Sequence, residues 1–444
     1  MEGIHMLDQK RSIWSWAMYD WANSAFATTV MAGFFPIFFS AYWSAGVAGV
    51  DTTARLGFSN SIASLIVALL APFLGAIADK GSAKKKFMFT FAFLGIVMTG
   101  GLFMIHQGQW QIAALFYILA TVGFSGGNIF YDSLLPGVAS EKKIDYVSSL
   151  GYAMGYIGGG LLFLVNVMMY LKPEIFGIAD DTMAVKLSFL SVAVWWALFS
   201  IPIFLWVEEP KFGIRDPGIW KAVKAGWKQL MGTFKEIRHL KVVGMFLLAY
   251  WFYIDGVDTI IRMAISIGTA LGFPTSALIV ALLITQFVAF FGSLLYGLLA
   301  KKIGAKQSLF VGIIAYSVIT MIGFFMSQVW HFYVLAMAVG LFQGGIQAIS
   351  RSFYSRIIPE NKAAEFYGFF NLLGKFAAVI GPSLMGVVGL LTRNAGDLQI
   401  GSLHLENMGI RLSVLSVLVL FIIGGILLTR VNVDEGKKNV QYLK

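Results

Sequence analysis

Apolar residues run along this chain in long blocks, not in the alternating or every-third patterns of soluble strands and amphipathic helices. The blocks cover 13–43, 58–78, 87–105, 111–135, 148–171, 185–207, 242–267, 274–300, 307–326, 330–350, 365–391 and 409–430. Each approaches or exceeds the ~20 residues that a helix needs to cross the hydrocarbon of a bilayer. The pattern therefore predicts twelve transmembrane helices and an all-α polytopic membrane protein. The first block is too long for the apolar core of a cleavable signal and carries an acid, so it reads as a retained span. Between the sixth and seventh blocks lies the one long polar stretch, 208–241. In it Trp220, Val223, Trp227, Leu230 and Phe234 recur at helical spacing beside Lys221, Lys224, Lys228 and Lys235. That predicts an amphipathic linker helix lying on an anionic inner leaflet. The polar tail, 431–444, is expected to be loose.

Polar residues inside the blocks are the informative exceptions. Asp20 sits nine positions after Arg11, deep in the first block, where an acid costs roughly 2.5–3.5 kcal/mol on insertion scales. Asn23, Ser24 and Ala27 follow at i+3, i+4 and i+7, which makes one narrow face of that helix polar and small. Such a face belongs against a partner or against water. In the seventh block Asp255, Asp258, Thr259 and Arg262 share a face at the same spacing, with Trp251 and Tyr253 a turn earlier. Asp258 and Arg262 are spaced to pair along the helix, acid before base.

Composition agrees with a membrane protein and removes other classes. Hydrophobic residues make up 58% and charged residues 13% of the 444, and mean hydropathy is +0.77. The 39 Phe and 48 Gly suit close helix packing in lipid. With no cysteine, there is neither a disulfide framework nor thiolate chemistry. No metal-ligand set, nucleotide-binding loop or nucleophile constellation is present, so no cofactor is expected and an enzyme is disfavoured. The net charge of +10 sets topology rather than nucleic-acid binding. With alternating spans, 26 of the 33 Lys and Arg fall on the side of the N-terminus and 5 on the other. By the positive-inside rule both termini are cytoplasmic.

The chain also repeats. Phe130-Tyr131-Asp132-Ser133-Leu134-Leu135-Pro136 returns as Phe353-Tyr354-Ser355-Arg356-Ile357-Ile358-Pro359, an offset of 223 that also relates Gly81 to Gly304, Gly151 to Gly374 and Gly158 to Gly381. In the first spans an offset of 235 pairs Asp20 with Asp255 and Ser24 with Thr259. Two pseudo-symmetric six-helix halves follow, at 1–207 and 242–430 around the linker 208–241, with the tail 431–444 beyond.

Two loops sharpen the resemblance. Gly75, Asp79, Gly81 and Lys84-Lys85-Lys86 follow the second span, and Gly297, Lys301, Gly304 and Lys306 follow the eighth. Both resemble the loop motif of the major facilitator superfamily, although Gly81 stands one position early and Lys301 replaces the acid. The string Tyr19-Asp20-Trp21-Ala22-Asn23-Ser24-Ala25-Phe26 resembles the first-span signature of one branch, the vacuole-effluxer-like transporters, whose fungal members are autophagy-related vacuolar amino-acid exporters. The compact loops resemble bacterial members, which implies an inner (plasma) membrane location. The resemblance implies the major facilitator fold and a central site lined by the first, fourth, seventh and tenth spans. It also implies that Gly75 admits a neighbouring helix closely. Asp79 would cap the eleventh span near Glu365 and lock the outward-facing state, with Lys84, Asp132 and Arg351 as further gating residues.

On this reading the substrate or proton-coupling residues are Tyr19, Asp20, Asn23, Trp251, Asp255, Asp258, Arg262, Gln343, Gln347 and Lys375. Three acids and two bases suit a zwitterion better than a neutral sugar. Burial disfavours the charged form of an unpaired acid, and Asp20, with no base on its span, is the first candidate to carry a coupling proton. The expected function is secondary transport of a small polar or zwitterionic solute, amino acids among them, in the export direction, by a monomer coupled to protons. A hydrophobic-drug or siderophore exporter and a non-transporting receptor or scaffold are the alternatives. His106 and His331 are expected at the surface.

Overall fold

The computed structural model describes residues 7–47, 49–209, 228, 231, 241–392, 394–396, 398–400 and 403–441. The predicted linker helix lies almost wholly outside these residues, as does the side chain of Lys375. Every predicted span is helical. The helices are α1 (Lys10–Trp43), α2 (Gly49–Gly81), α3 (Lys84–Gly101), α4 (Trp110–Val138), α5 (Ile144–Leu171) and α6 (Asp181–Trp206). They continue as α7 (Lys241–Ala270), α8 (Thr275–Ile303), α9 (Ala305–Phe324), α10 (Val329–Ile357), α11 (Ala363–Leu391) and α12 (Met408–Thr429). Among the described residues eleven stretches are long and apolar enough to span a membrane, and Ile380–Leu391 within α11 is a shorter apolar one.

Local winding follows the residues. α1 is not α-helical throughout: Phe26–Phe34 and Phe39–Trp43 wind as π-helix. The Phe35 N–H reaches back five residues to the Val30 carbonyl. Pro36, which has no N–H to give and crowds the preceding turn, lies between the two π segments. A short antiparallel pair, Leu398–Ile400 with Leu403–Leu405, lies between α11 and α12. The tail departs from expectation, since Val433–Gln441 forms a further helix, α13. Its Gly436 fits so closely against Ile357 and Val242 that a side chain there would touch both. A polar string looked loose in sequence because its docking surface is supplied by distant residues.

The chain divides into two compact units. The first holds residues 1–147, 154–234 and 359–372; the second holds 148–153, 235–358 and 373–444. Inside the first, α1 packs on α6, α2 and α3 pack on α4, and α3 packs on α6. Inside the second, α7 packs on α12, α8 and α9 pack on α10, and α9 packs on α12. Adding six to each helix number of the first set gives the second. A lysine repeats as well. Lys85 Nζ donates to the Phe204 and Val207 carbonyls (2.8 and 2.6 Å) at the end of α6. Lys306 Nζ donates to the Thr429 and Val431 carbonyls (3.0 and 2.7 Å) at the end of α12. In both units the first turn of the third helix thus satisfies orphan carbonyls of the sixth.

Candidate functional site

In the first unit the polar strip of α1 is held by α4 and α5. The Tyr131 hydroxyl donates to Asp20 Oδ2 at 2.7 Å. Its ring stacks on Trp16 with centroids 4.4 Å apart, and the Trp16 indole N–H donates to the Tyr131 carbonyl at 3.1 Å. One turn along, the Asn23 amide donates to Asn128 Oδ1 at 2.5 Å. Tyr19 is fully buried with its ring 5.1 Å from that of Tyr131. Gly155 and Gly159 of α5 lie against Ser24 and Thr28, and Gly158 lies against Trp21. Small residues on α5 therefore let the two backbones approach where α1 is polar.

Asp20 is consequently not the isolated acid that its own span suggested. Its donor comes from α4, 111 positions away, and charges counted along one helix cannot reveal a hydroxyl on another. Tyr131 itself was missed as a site residue, although it stands inside the repeated Phe130–Pro136 string.

The same unit contains a helix-capping cluster. Asp79, 3% exposed, accepts from the Ala364 N–H (3.1 Å) and the Glu365 N–H (2.9 Å) at the start of α11. Lys84 Nζ lies 3.0 Å from the same carboxylate, and both side chains are buried. An acid on a helix N-terminus satisfies orphan donors and meets the positive end of the dipole. Gly75 lies directly under the Ala364 carbonyl, where no Cβ would fit. Glu209 in turn caps α3, accepting from the Lys84 and Lys85 N–H groups at 2.6 and 3.2 Å. Asn371 reaches Asp132 Oδ2 at 3.4 Å from the first turns of α11.

In the second unit α7 carries the counterpart strip. Asp255 is fully buried, and its Oδ1 accepts from the Gly381 N–H (3.0 Å) of α11 and the Thr259 hydroxyl (3.2 Å). Its Oδ2 is enclosed and has no hydrogen-bond partner among the described residues. Gly381 is required here, because a Cβ would strike Thr259 Oγ1 and Asp255 Oδ1. Tyr253 is buried rather than lining, its hydroxyl 2.7 Å from Ser350 Oγ. Trp251 is half-buried, and its indole N–H has no partner among the described residues. Asp258 is half-buried while Arg262 is exposed.

Arg351 also departs from expectation. Counted with the loop charges, it is instead 2% exposed inside α10. Its Nε and Nη2 donate to the Ser148 hydroxyl and carbonyl, both at 2.9 Å, and its guanidinium lies 4.4 Å from the Tyr152 ring centroid. Ser148 Oγ donates onward to the Ala348 carbonyl at 2.7 Å. His331, expected at the surface, is half-buried and completes a capping box with Gln328 at the start of α10.

Gln343 and Gln347 are half-buried on α10. Gln343 borders an apolar pocket of about 120 Å³ lined by α7, α8, α9, α10 and α12, with Ile260, Ala264, Leu282, Ile319 and Phe332 among its walls. Apolar cavities of ~150 Å³ accept a benzene-sized group.

Comparisons with known proteins agree with this architecture. Residues 41–441 match the family model described as vacuole effluxer Atg22 like. An uncharacterized MFS-type transporter, YxiO of Bacillus subtilis, is 39% identical over 416 residues, covering 93% of each chain. Autophagy-related protein 22 of Yarrowia lipolytica is 24% identical over 484 residues, covering 89% of this chain and 78% of its own. Among solved structures, the human organic anion transporter MFSD10 superposes with a TM-score of 0.70 at 11% identity, covering 96% of this chain and all of its own. The proton:xylose symporter XylE gives 0.68 at 13% identity over 98% and 97%. At such identities the structures speak for the fold alone.

Proposed function

The chain belongs to the Atg22-like vacuole effluxer family of major facilitator transporters, and from that premise we propose that it moves a small polar or zwitterionic solute, amino acids among them, outward across the plasma membrane by proton-coupled alternating access. The observation that carries this reading is the pair of acids set at repeat-related positions, Asp20 on α1 and Asp255 on α7, each with hydrogen-bond donors from helices of its own unit. A charged group inside a span marks a solute or proton path by default. Acids supply partners for an ammonium, and Arg262 and Lys375 are the bases on which a carboxylate would draw. In this reading the Asp79 cap on α11 and the Arg351–Ser148 contact are latches that open and re-form as access alternates. Both termini face the cytoplasm, the basic linker rests on the anionic leaflet, and one chain is the working unit.

The test is flux. Purified protein in proteoliposomes is loaded with single amino acids under an imposed pH gradient, and efflux is followed together with internal pH. Solute movement with accompanying proton movement, abolished by Asp20→Asn, supports the reading. Solute binding without flux would replace it with a receptor. A second reading, export of hydrophobic compounds, is favoured by the apolar cavity beside Gln343. It predicts transport of an apolar dye that Ala264→Trp blocks.

A further inference from the structure

We propose that the apolar pocket beside Gln343 is a ligand site in its own right, separate from the acids of α7. It takes an uncharged molecule with a single aromatic ring and one O–H or N–H donor, as in a phenol or an aniline. This goes beyond the transport reading and does not depend on it.

The pocket lies wholly within the second unit. From α7 it takes Ile260, Ile261, Ala264 and Ile267. At 3.6 residues per turn these cover one side of the helix, while Asp255, Asp258 and Arg262 fall on the other. An occupant of the pocket therefore meets α7 from behind its charged face. A zwitterion drawn to those charges and a molecule seated in the pocket are held on different sides of the same helix.

The walls define the chemistry. α10 contributes Phe332, Leu335, Ala336, Val339 and Gln343, a stripe at helical spacing that ends in an amide. Two hydroxyls also border the space, and the protons of both are committed to carbonyls. Thr285 Oγ1 donates to Ala281 and Ala336 (2.9 and 3.2 Å), and Thr320 Oγ1 donates to Tyr316 (2.8 Å). Gln343 Oε1 is enclosed and has no hydrogen-bond partner among the described residues. A buried acceptor left bare is costly, so the polar demand of this pocket is for a donor. Water is a poor answer to it, because a buried water needs roughly two to four polar partners and these walls are mostly hydrocarbon.

Size and softness select a ring. The volume of about 120 Å³ approaches the ~150 Å³ of apolar cavities that accept benzene. Phe332 and Met326 both line it, and an aromatic ring and a thioether make favourable contacts with a further ring. Among the described residues that line the pocket none is charged, which calls for a neutral ligand.

Fluorine NMR on the protein in lipid nanodiscs tests this with two probes, 4-fluorophenol and 4-fluoroanisole, which share a ring but differ in the donor. The expected result is that 4-fluorophenol is broadened by the parent and not by Ala264→Trp, whose indole fills the space. In the parent 4-fluoroanisole should bind more weakly. Gln343→Leu keeps the volume and removes the acceptor, so affinity for 4-fluorophenol should fall roughly 2- to 12-fold, the worth of one net hydrogen bond, with 4-fluoroanisole unchanged. Equal broadening by the parent and Ala264→Trp would mean that the probe only dissolves in lipid, and would overturn the site. Equal affinity for the two probes in the parent, or no change in Gln343→Leu, would overturn the role of the amide. If Ala264→Trp does not fold, the ratio of the two probes in the parent and in Gln343→Leu decides alone. Neither probe needs a gradient or a transported solute. Absent flux with this binding in place would reject the transport reading and leave the site standing, and flux without this binding would do the reverse.

Discussion

Tyr131 shows how much one side chain can organise inside a membrane. Its hydroxyl satisfies Asp20, its ring covers Trp16 and its carbonyl accepts the Trp16 indole N–H. Tyr131→Phe removes the first of these and keeps the other two. A hydrogen bond to a charged group is worth about 1.5–3 kcal/mol, so solute flux should fall roughly 10- to 100-fold if the bond orients Asp20 for transport. The amount of folded protein, read by size-exclusion chromatography, should change little. Outside the spans, Asp8 provides a residue whose titration can be followed. Partial burial pushes its carboxyl upward, but the Ser140 N–H and hydroxyl at 2.9 and 2.7 Å and the Lys143 ammonium at 3.6 Å outweigh it and hold the group below its ordinary value. A depressed folded-state value means that the contribution to stability is complete above the unfolded value, about 3.9. It is lost as pH falls through the lower folded value. The melting temperature of Asp8→Asn should therefore lie below that of the parent at pH 7, and the gap should close as the buffer is taken below about pH 4. A gap independent of pH would show that shape, not charge, is what Asp8 supplies.

Elements carry the next level of dependence, and the clearest case is the joint among α2, α3 and α11. Gly75 permits the approach, Asp79 accepts from the first turn of α11, and Lys84 from the first turn of α3 neutralises it. Asp79→Asn keeps the shape but leaves the Lys84 ammonium buried without its counter-charge. Removing one partner of a buried pair costs about 3–5 kcal/mol, so a large fall in melting temperature is expected. Replacing Lys84 with Met in the same chain should recover part of it, because the uncompensated charge is then gone. No recovery would mean that the cap on α11, rather than the ion pair, dominates. The glycine, the acid and the basic cluster of this joint were legible in the sequence because they fall within a dozen positions. The role of Glu209 was not. It caps α3 from 125 positions away, and no periodicity connects residues at that range. The same limit hid Tyr131 and the docking of α13. By contrast, Asp255 and Thr259 were legible, since a one-turn spacing is a statement about a single helix.

At the scale of the whole molecule, what the sequence carried best was its repeat. An offset measured on short strings anticipated that helix pairs of the first unit recur, six numbers on, in the second. The repeat survives because each unit must bury the same seams, whereas the polar chemistry placed on those seams has diverged. Trp16 and Trp251 stand 235 positions apart, yet one indole N–H is bonded and the other has no partner among the described residues. Asp20 takes a tyrosine hydroxyl and Asp255 a backbone N–H. The two halves thus share an architecture but not the chemistry set around their acids. This division presupposes one orientation in the membrane, and the absence of cysteine makes that orientation easy to measure. Glu174 lies exposed between α5 and α6, and Lys437 lies half-buried on α13 beyond α12. If both termini are cytoplasmic, a cysteine at 174 should react with a membrane-impermeant maleimide added to intact cells. A cysteine at 437 should react only after permeabilisation. Reversal of the two results would invert every assignment of side, placing the basic clusters of 80–86 and 301–306 outside, against the rule that positive charge is retained in the cytoplasm.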